Sequence, residues 1–279
     1  MTPRLAPVAL VLVAAVVLAP RAARAGEEEE DASTDGIGIT YDLGTDVAVT
    51  AGAAVAFLGS EWLVKKEFAL EANWSERNGL DTSVRDALVW KKTGTAFWIS
   101  YVTAGAAPVV SLGLTALAAR QVGRPSEFWV DALLVAEATA LDGTLNQLVK
   151  FAVRRQRPCA GSCPSNDAKD DNLSFYSEHA SLTFALAASA GTVARLRGYP
   201  MWRAIWLGTA VLGAATAYLR IAANEHYLTD VVTGAAMGTA VGVGVPYWFH
   251  RQRVRGQTCG TVAVLPIAHG GALTMALRW

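Results

Sequence analysis

Beyond about residue 44 the chain alternates long apolar runs with short polar breaks. Six apolar stretches stand out, at 45–61, 96–119, 128–149, 179–196, 203–220 and 229–249. Each is near the length a helix needs to cross a hydrocarbon core, about 20 residues. They are rich in Ala, Gly, Val and Leu, and small residues let helices approach closely within a membrane. Trp62, Trp98, Trp129, Trp202 and Trp248 sit near the ends of the stretches, where an aromatic belt would place them. The pattern predicts an all-α, multi-helix bundle that crosses a membrane with five or six helices. Asp131, Glu137 and Asp142 interrupt the third stretch and would be costly against lipid, which keeps a soluble helical bundle as the alternative. Between the first two stretches Asn78-Gly79 marks a turn. Leu80, Val84 and Leu88 then share one helical face, as in a short helix lying at the interface. After His250 the period changes. Leu273, Met275, Leu277 and Trp279 alternate with Ala272, Thr274, Ala276 and Arg278 after a His269-Gly270-Gly271 turn, which predicts a β-hairpin with 261–267.

The first 25 residues carry Arg4, an apolar core and Ala23-Arg24-Ala25, the layout of a cleaved signal peptide, with an uncleaved anchor as the alternative. Residues 26–44, with the acidic run Glu27 to Asp31, read as a flexible leader. The helical domain then spans 45–256 and the hairpin tail 257–279. Hydrophobic residues make up 52% of the 279 and charged residues 17%, below the quarter usual in soluble domains. Lys plus Arg and Asp plus Glu total 24 each, a balance that speaks against a general nucleic-acid binder. Of three cysteines, Cys159 and Cys163 are close enough in CAGSC to bridge in an oxidising compartment, leaving Cys259 over.

Against this neutral background, KFAVRRQRP at 150–158 gathers four cations at the end of an apolar run. If the helix continues, Lys150, Arg154 and Arg157 share a face while Arg155 points elsewhere, and Pro158 sets the helix end near Arg157. Basic residues flanking a membrane helix are common, so the cluster alone says little. Its company says more. His179 follows Ser177 by two residues, and His226 precedes Asp230 by four, with Arg220 six residues ahead of it. His and Asp at i, i+4 lie on one helix face, so Asp230 can accept the imidazole Nδ1–H and leave Nε2 as a nucleophile.

Lys150-x6-Arg157-Pro158, Ser177-x-His179 and Arg220-x5-His226-x3-Asp230 resemble the three-part signature of the type 2 phosphatidic acid phosphatase and vanadium haloperoxidase superfamily. Three motifs in register make a far stronger signal than any one. The resemblance implies a phosphatase acting on a phosphate monoester or diphosphate of a lipid, through a phosphohistidine and without a metal or other cofactor. Lys150, Arg157, Ser177 and Arg220 would bind phosphate, His226 would attack phosphorus, His179 would act as acid and then base, and Asp230 would orient His226. Phosphoryl transfer asks chiefly for positioning and fixed positive charge, which fits such a set. The implied partners are a phosphorylated lipid and a membrane. The same resemblance admits a vanadate-dependent haloperoxidase-like enzyme, or an impaired phospholipid-binding membrane protein.

Two departures weaken the match. Tyr176-Ser177-Glu178-His179 stands where the family has Pro-Ser-Gly-His, placing a carboxylate beside the site. That is tolerable if Glu178 turns away or pairs with an arginine such as Arg154 or Arg155. Leu219 replaces the usual serine before the arginine. All three motifs fall at one end of the bundle. The opposite loops carry Arg120, Arg124, Arg195, Arg197, Arg203, Arg251 and Arg253, which marks that side as cytoplasmic. The site is therefore expected on the periplasmic or outer side, with 45–61 not spanning. A soluble exported protein is the alternative.

Overall fold

The computed structural model describes residues 39–65, 71–164 and 170–251, together with the backbone of two short strands. The expected signal peptide, most of the leader and Cys259 lie outside the described residues. The helices are α1 (Leu43–Gly59), α2 (Gly79–Leu88), α3 (Thr93–Gln121), α4 (Phe128–Val153), α5 (Glu178–Leu196), α6 (Trp202–Ala222) and α7 (Leu228–Phe249). A π-helical turn, Ser60–Val64, extends α1, and a 3-10 turn, Pro125–Glu127, precedes α4. Every apolar stretch is therefore one helix, and the amphipathic segment after Asn78 is α2. Asn78 caps α2 through its side chain, accepting from the Asp81 N–H at 2.8 Å. In the tail, β1 (Val262–Ile267) pairs antiparallel with β2 (Gly270–Met275), Val262 opposite Met275.

The six long helices alternate in direction. One end of the bundle gathers the C-terminal ends of α1, α4 and α6 and the N-terminal ends of α3, α5 and α7. The hub is α5, packed against α3, α4, α6 and α7. Its buried face is almost all small: Ala180, Ala185, Ala187, Ala188 and Ala190. Opposite it, α7 presents Gly234, Gly238 and Gly242, one per turn. A Cβ at Gly234 would stand 2.6 Å from the Ser177 carbonyl oxygen, one at Gly242 2.5 Å from that of Ala185, and one at Gly238 would overlap Ser181. The two backbones touch because these positions lack side chains, the packing that small-residue stripes allow. This contact holds the start of α5 against the start of α7.

Among the described residues, four helices are long and apolar enough to cross a membrane by length and composition: Leu43–Trp62, Thr93–Gln121, Trp202–Ala222 and Leu228–Phe249. The expectation of five or six spans is met only to that extent, and 45–61, expected not to span, is among the four. The outward faces of these helices carry Val55, Val102, Val109, Val211 and Val232, all exposed. Trp62 and Trp98 are exposed at one end of the bundle, and Trp129 and Trp248 at the other. The helices that fall short, α4 and α5, are the inner ones. Asp131, Glu137 and Asp142 of α4 face the interior, buried. Asp142 accepts the Ser181 hydroxyl at 2.7 and 2.8 Å, so its carboxylate has a partner inside the bundle.

Candidate active site

The helix carrying Lys150 stops earlier than the spacing predicts. α4 ends at Val153, and Arg154 turns left-handed at φ 47° with its N–H on the Lys150 carbonyl oxygen at 2.9 Å. Arg154, Arg155 and Arg157 therefore leave the helix and fan out, instead of Arg154 and Arg157 sharing a helical face with Lys150. Arg154 reaches the surface and donates to Asn73 Oδ1 at 2.7 Å. Arg155 goes inward, between the Trp74 and Tyr227 rings at 4.1 and 4.3 Å from their centroids. Arg157 enters a pocket at the end of the bundle. The loop that follows is stapled by the Cys159–Cys163 disulfide.

Five of the seven expected site residues line that pocket: Lys150, Arg157, His179, Arg220 and His226. Asp230 stands behind it. Its Oδ2 is 3.7 Å from His226 Nδ1, too far for the expected direct hydrogen bond. The Ser174 carbonyl oxygen takes that role at 2.9 Å, and because a carbonyl only accepts, Nδ1 carries the proton and Nε2 keeps its lone pair. Asp230 acts one step removed. It accepts from the Ser174 hydroxyl at 2.6 Å, the Tyr227 N–H at 2.9 Å and Arg155 at 2.5 Å. Ser177 is buried at the start of α5, its hydroxyl without a hydrogen-bond partner and outside the pocket lining. Its backbone N–H donates to the Asp230 carbonyl oxygen at 3.0 Å, which ties α5 to α7.

Glu178 neither turns away nor meets Arg154 or Arg155. It takes Lys150 at 2.5 Å and Gln147 at 2.9 Å. Arg155 is unavailable because Asp81, at 2.6 Å, and Asp230 already hold it. The remaining pocket cations are paired as well. Glu225 accepts from Arg157 and, at 3.3 Å, from Arg220. Asp170 bonds Lys65, which also donates to Glu61 at 2.8 Å. The lining thus holds four cations, Lys65, Lys150, Arg157 and Arg220, and four carboxylates, Glu61, Asp170, Glu178 and Glu225.

The pairing shapes the ionisation of the loop groups. Burial alone would raise the Asp170 carboxyl, but Arg157, Lys65 and Lys150 bring it down to about 2. Burial would likewise lower the Lys65 amine, yet Asp170 and Glu61 push it up to about 12. His226 shifts toward its neutral form. Burial first, then the charges of Arg157, Arg220 and Lys150, hold its imidazole well below the ordinary histidine value. The group is a neutral base with a free lone pair, set among cations. Asn224, left-handed at φ 62°, reverses the chain after α6 and so turns Glu225 and His226 toward the pocket.

Sequence reasoning missed Lys65, Glu61, Asp170 and Glu225 in the lining, and Arg155 with Asp81 and Ser174 behind His226. Glu225 precedes His226 directly and was open to notice. Lys65 and Asp81 lie some 70 or more residues from any motif, on segments whose approach only the fold decides.

A model of the PAP2 superfamily matches residues 131–254. Decaprenylphosphoryl-5-phosphoribose phosphatase from two Mycobacterium tuberculosis strains, CDC 1551 / Oshkosh and ATCC 25618 / H37Rv, is 38% identical over 95 residues, 34% of this chain. That alignment covers 48% of the relative, so the chain spans about half the length of the curated relatives it matches. Among solved structures, the first transmembrane PAP2-type phosphatidylglycerolphosphate phosphatase from Bacillus subtilis aligns with a TM-score of 0.43 and 16% identity, covering 72% of this chain and 93% of that one. Lys150, Arg157, Ser177, His179, Arg220, His226 and Asp230 all lie inside the segment that the PAP2 superfamily model matches.

Proposed function

We propose that the protein is a membrane phosphatase that hydrolyses a phosphate monoester or diphosphate of a lipid. The observation that carries the reading is His226, whose Nδ1 proton is given to a backbone carbonyl while the pocket beside it is lined by Lys150, Arg157, Arg220 and His179. His226 Nε2 attacks phosphorus, forming a P–N bond as the P–O bond to the lipid breaks. His179, which burial and the charges of Arg220 and Lys150 keep neutral at rest, takes up a proton as the phosphate dianion enters and gives it to the departing oxygen. Neutral His179 then takes a proton from water, whose oxygen attacks phosphorus, and the P–N electron pair returns to Nε2. Lys150, Arg157 and Arg220 oppose the charge on the phosphoryl oxygens throughout. No step needs a metal or cofactor. The Ser177 role narrows to backbone support, and Asp230 works through Ser174.

The substrate phosphate has to compete with Glu178 for Lys150 and with Glu225 for Arg157 and Arg220. That competition favours a second reading, an impaired phospholipid-binding protein. The domain from 45 to 256 carries the whole site, with the hairpin tail outside it. Four to six helices cross the membrane, and the exposed tryptophans at both ends support that placement. Two features support a site on the periplasmic or outer side. The opposite end carries Arg120, Arg195 and Arg203, and the loop beside the site holds a disulfide, which persists outside the reducing cytoplasm. If α1 crosses as well, the leader ends on the side opposite the site.

The test is phosphate release from phosphatidic acid and from a soluble aryl phosphate by purified wild type and His226→Ala. Turnover that disappears in a folded mutant, with preference for the lipid, is the expected result. Turnover surviving in the mutant overturns the mechanism. A folded wild type inert on both substrates favours the binding protein.

A further inference from the structure

The far end of the bundle holds three titratable side chains that the phosphatase chemistry does not use. Asp46 comes from the first turn of α1, Glu137 from α4 and His250 from the residue after α7. They are buried, at 0%, 3% and 0% exposure, and each offers one ligand atom within 4.8 Å of the others. Glu137 lies about 20 Å along α4 from Lys150 at 1.5 Å per residue, so this cluster is not part of the phosphate pocket.

The protonation pattern is what singles it out. His250 Nδ1 is 3.2 Å from the Thr40 carbonyl oxygen, an acceptor only, which places the proton on Nδ1 and the lone pair on Nε2. Nε2 stands 3.2 Å from Glu137 Oε2, yet both atoms are buried and neither makes a hydrogen bond. Two acceptors at that distance repel, and leaving both unsatisfied in the interior is costly. The two atoms form no hydrogen bond despite their 3.2 Å separation, so no N–H bond of the ring is directed at Oε2. A metal cation has no such directional demand on one N–H bond. With Zn–N and Zn–O bonds of about 2.0–2.2 Å, two ligands of a tetrahedral site sit roughly 3.3 Å apart, close to the separation found. Two carboxylates and a neutral imidazole carry the charge that a divalent ion cancels, and a carbonyl holding the other ring nitrogen is the usual support of a histidine ligand.

We propose that Asp46, Glu137 and His250 bind one divalent transition-metal cation of the zinc class, which ties the start of α1 to α4 and the end of α7. The ion is structural and separate from the reaction. The test uses the full chain in detergent, stripped with chelator and then titrated with Zn²⁺. Bound zinc is read by elemental analysis and the thermal midpoint is followed in parallel. The expected result is one equivalent bound and a midpoint raised by several degrees, with both effects lost in His250→Ala and binding weakened at least about tenfold in Asp46→Asn. No zinc-dependent shift in wild type overturns the proposal. So does an Asp46→Asn protein, folded and near-isosteric, that binds zinc as tightly as wild type. If His250→Ala does not fold, these two measurements still decide.

Discussion

Arg155 at one end of the bundle and Arg197 at the other are alike in burial and in their carboxylate partners. Both are almost wholly buried, and each is held by carboxylates: Arg155 by Asp81 and Asp230, Arg197 by Asp131 at 2.7 Å and Glu127 at 3.7 Å. Both networks end in a hydroxyl, since Ser174 donates to Asp230 at 2.6 Å and Tyr199 to Asp131 at 2.8 Å. The difference is what stands next in line. Tyr199 closes the Arg197 network on itself, joining the end of α5 to the start of α4. Ser174 instead presents its carbonyl to His226, whose ring borders the pocket. A buried ion pair is thus no sign of function by itself. The candidate site is where such a pair backs a neutral imidazole that faces cations.

The sharpest contrast uses histidines from the two ends. His226→Ala is expected to lower turnover by about 10⁴-fold or more, since it removes the proposed nucleophile. His250→Ala, at the far end, is expected to leave kcat of the folded fraction within about twofold while it changes stability. Comparable losses of kcat in both would mean that the ends are coupled and that the contrast is wrong.

The arginines come next. Arg155→Leu and Arg197→Leu each leave buried carboxylates without their cation, so each is expected to destabilise the fold by about 3–5 kcal/mol. Denaturant or thermal unfolding in detergent measures this. Near equality in stability with unequal specific activity, Arg155→Leu being the less active, is the expected pattern. A neutral Arg155→Leu would show that the stack between Trp74 and Tyr227 holds the loop without charge.

Carboxylates at the two ends give a smaller effect. Glu178→Gln removes the competitor for Lys150, and KM for a phosphorylated substrate is expected to fall about tenfold, or roughly 1.4 kcal/mol. Glu127→Gln beside Arg197 is the control and should leave KM unchanged. If Glu178→Gln raises KM instead, Glu178 positions Lys150 rather than obstructing it.

Much of this architecture is legible in the chain. Each apolar run became one helix because a run of that length has no other way to satisfy its backbone in an apolar setting. The motif residues converge because the three motifs sit at helix ends that alternate direction. Three things were not legible, each for a physical reason. The end of α4 depends on Arg154 adopting a left-handed conformation, which local propensity does not favour for arginine. The hydrogen bond to His226 Nδ1 comes from a backbone carbonyl, and every residue has one. The partner of Glu178 is Lys150 because Arg155 is already taken by Asp81, a residue about seventy positions upstream on α2. Side-chain competition of this kind is settled by tertiary contact alone.

The last effect is a dependence on pH at the His226 end. His226 is held well below the ordinary histidine value by burial and by Arg157, Arg220 and Lys150, so the folded state declines a proton that the unfolded chain accepts near pH 6.5. The unfolded state then binds more protons below that pH, and stability rises with pH in that region. Acidification from pH 7 toward 5 is therefore expected to lower the thermal midpoint, His226 contributing up to about 1.4 kcal/mol per pH unit below 6.5. His226→Gln should flatten that slope by one proton. Turnover follows the opposite logic, because a base that stays neutral keeps its lone pair. The acid limb of kcat/KM for the free enzyme should fall below 6.5, so that over part of the range the protein loses stability before it loses its nucleophile. A limb at or above 6.5, together with an unchanged slope in His226→Gln, would mean that His226 is protonated in the folded protein. The pocket would then be a cationic cradle that binds phosphate without attacking it.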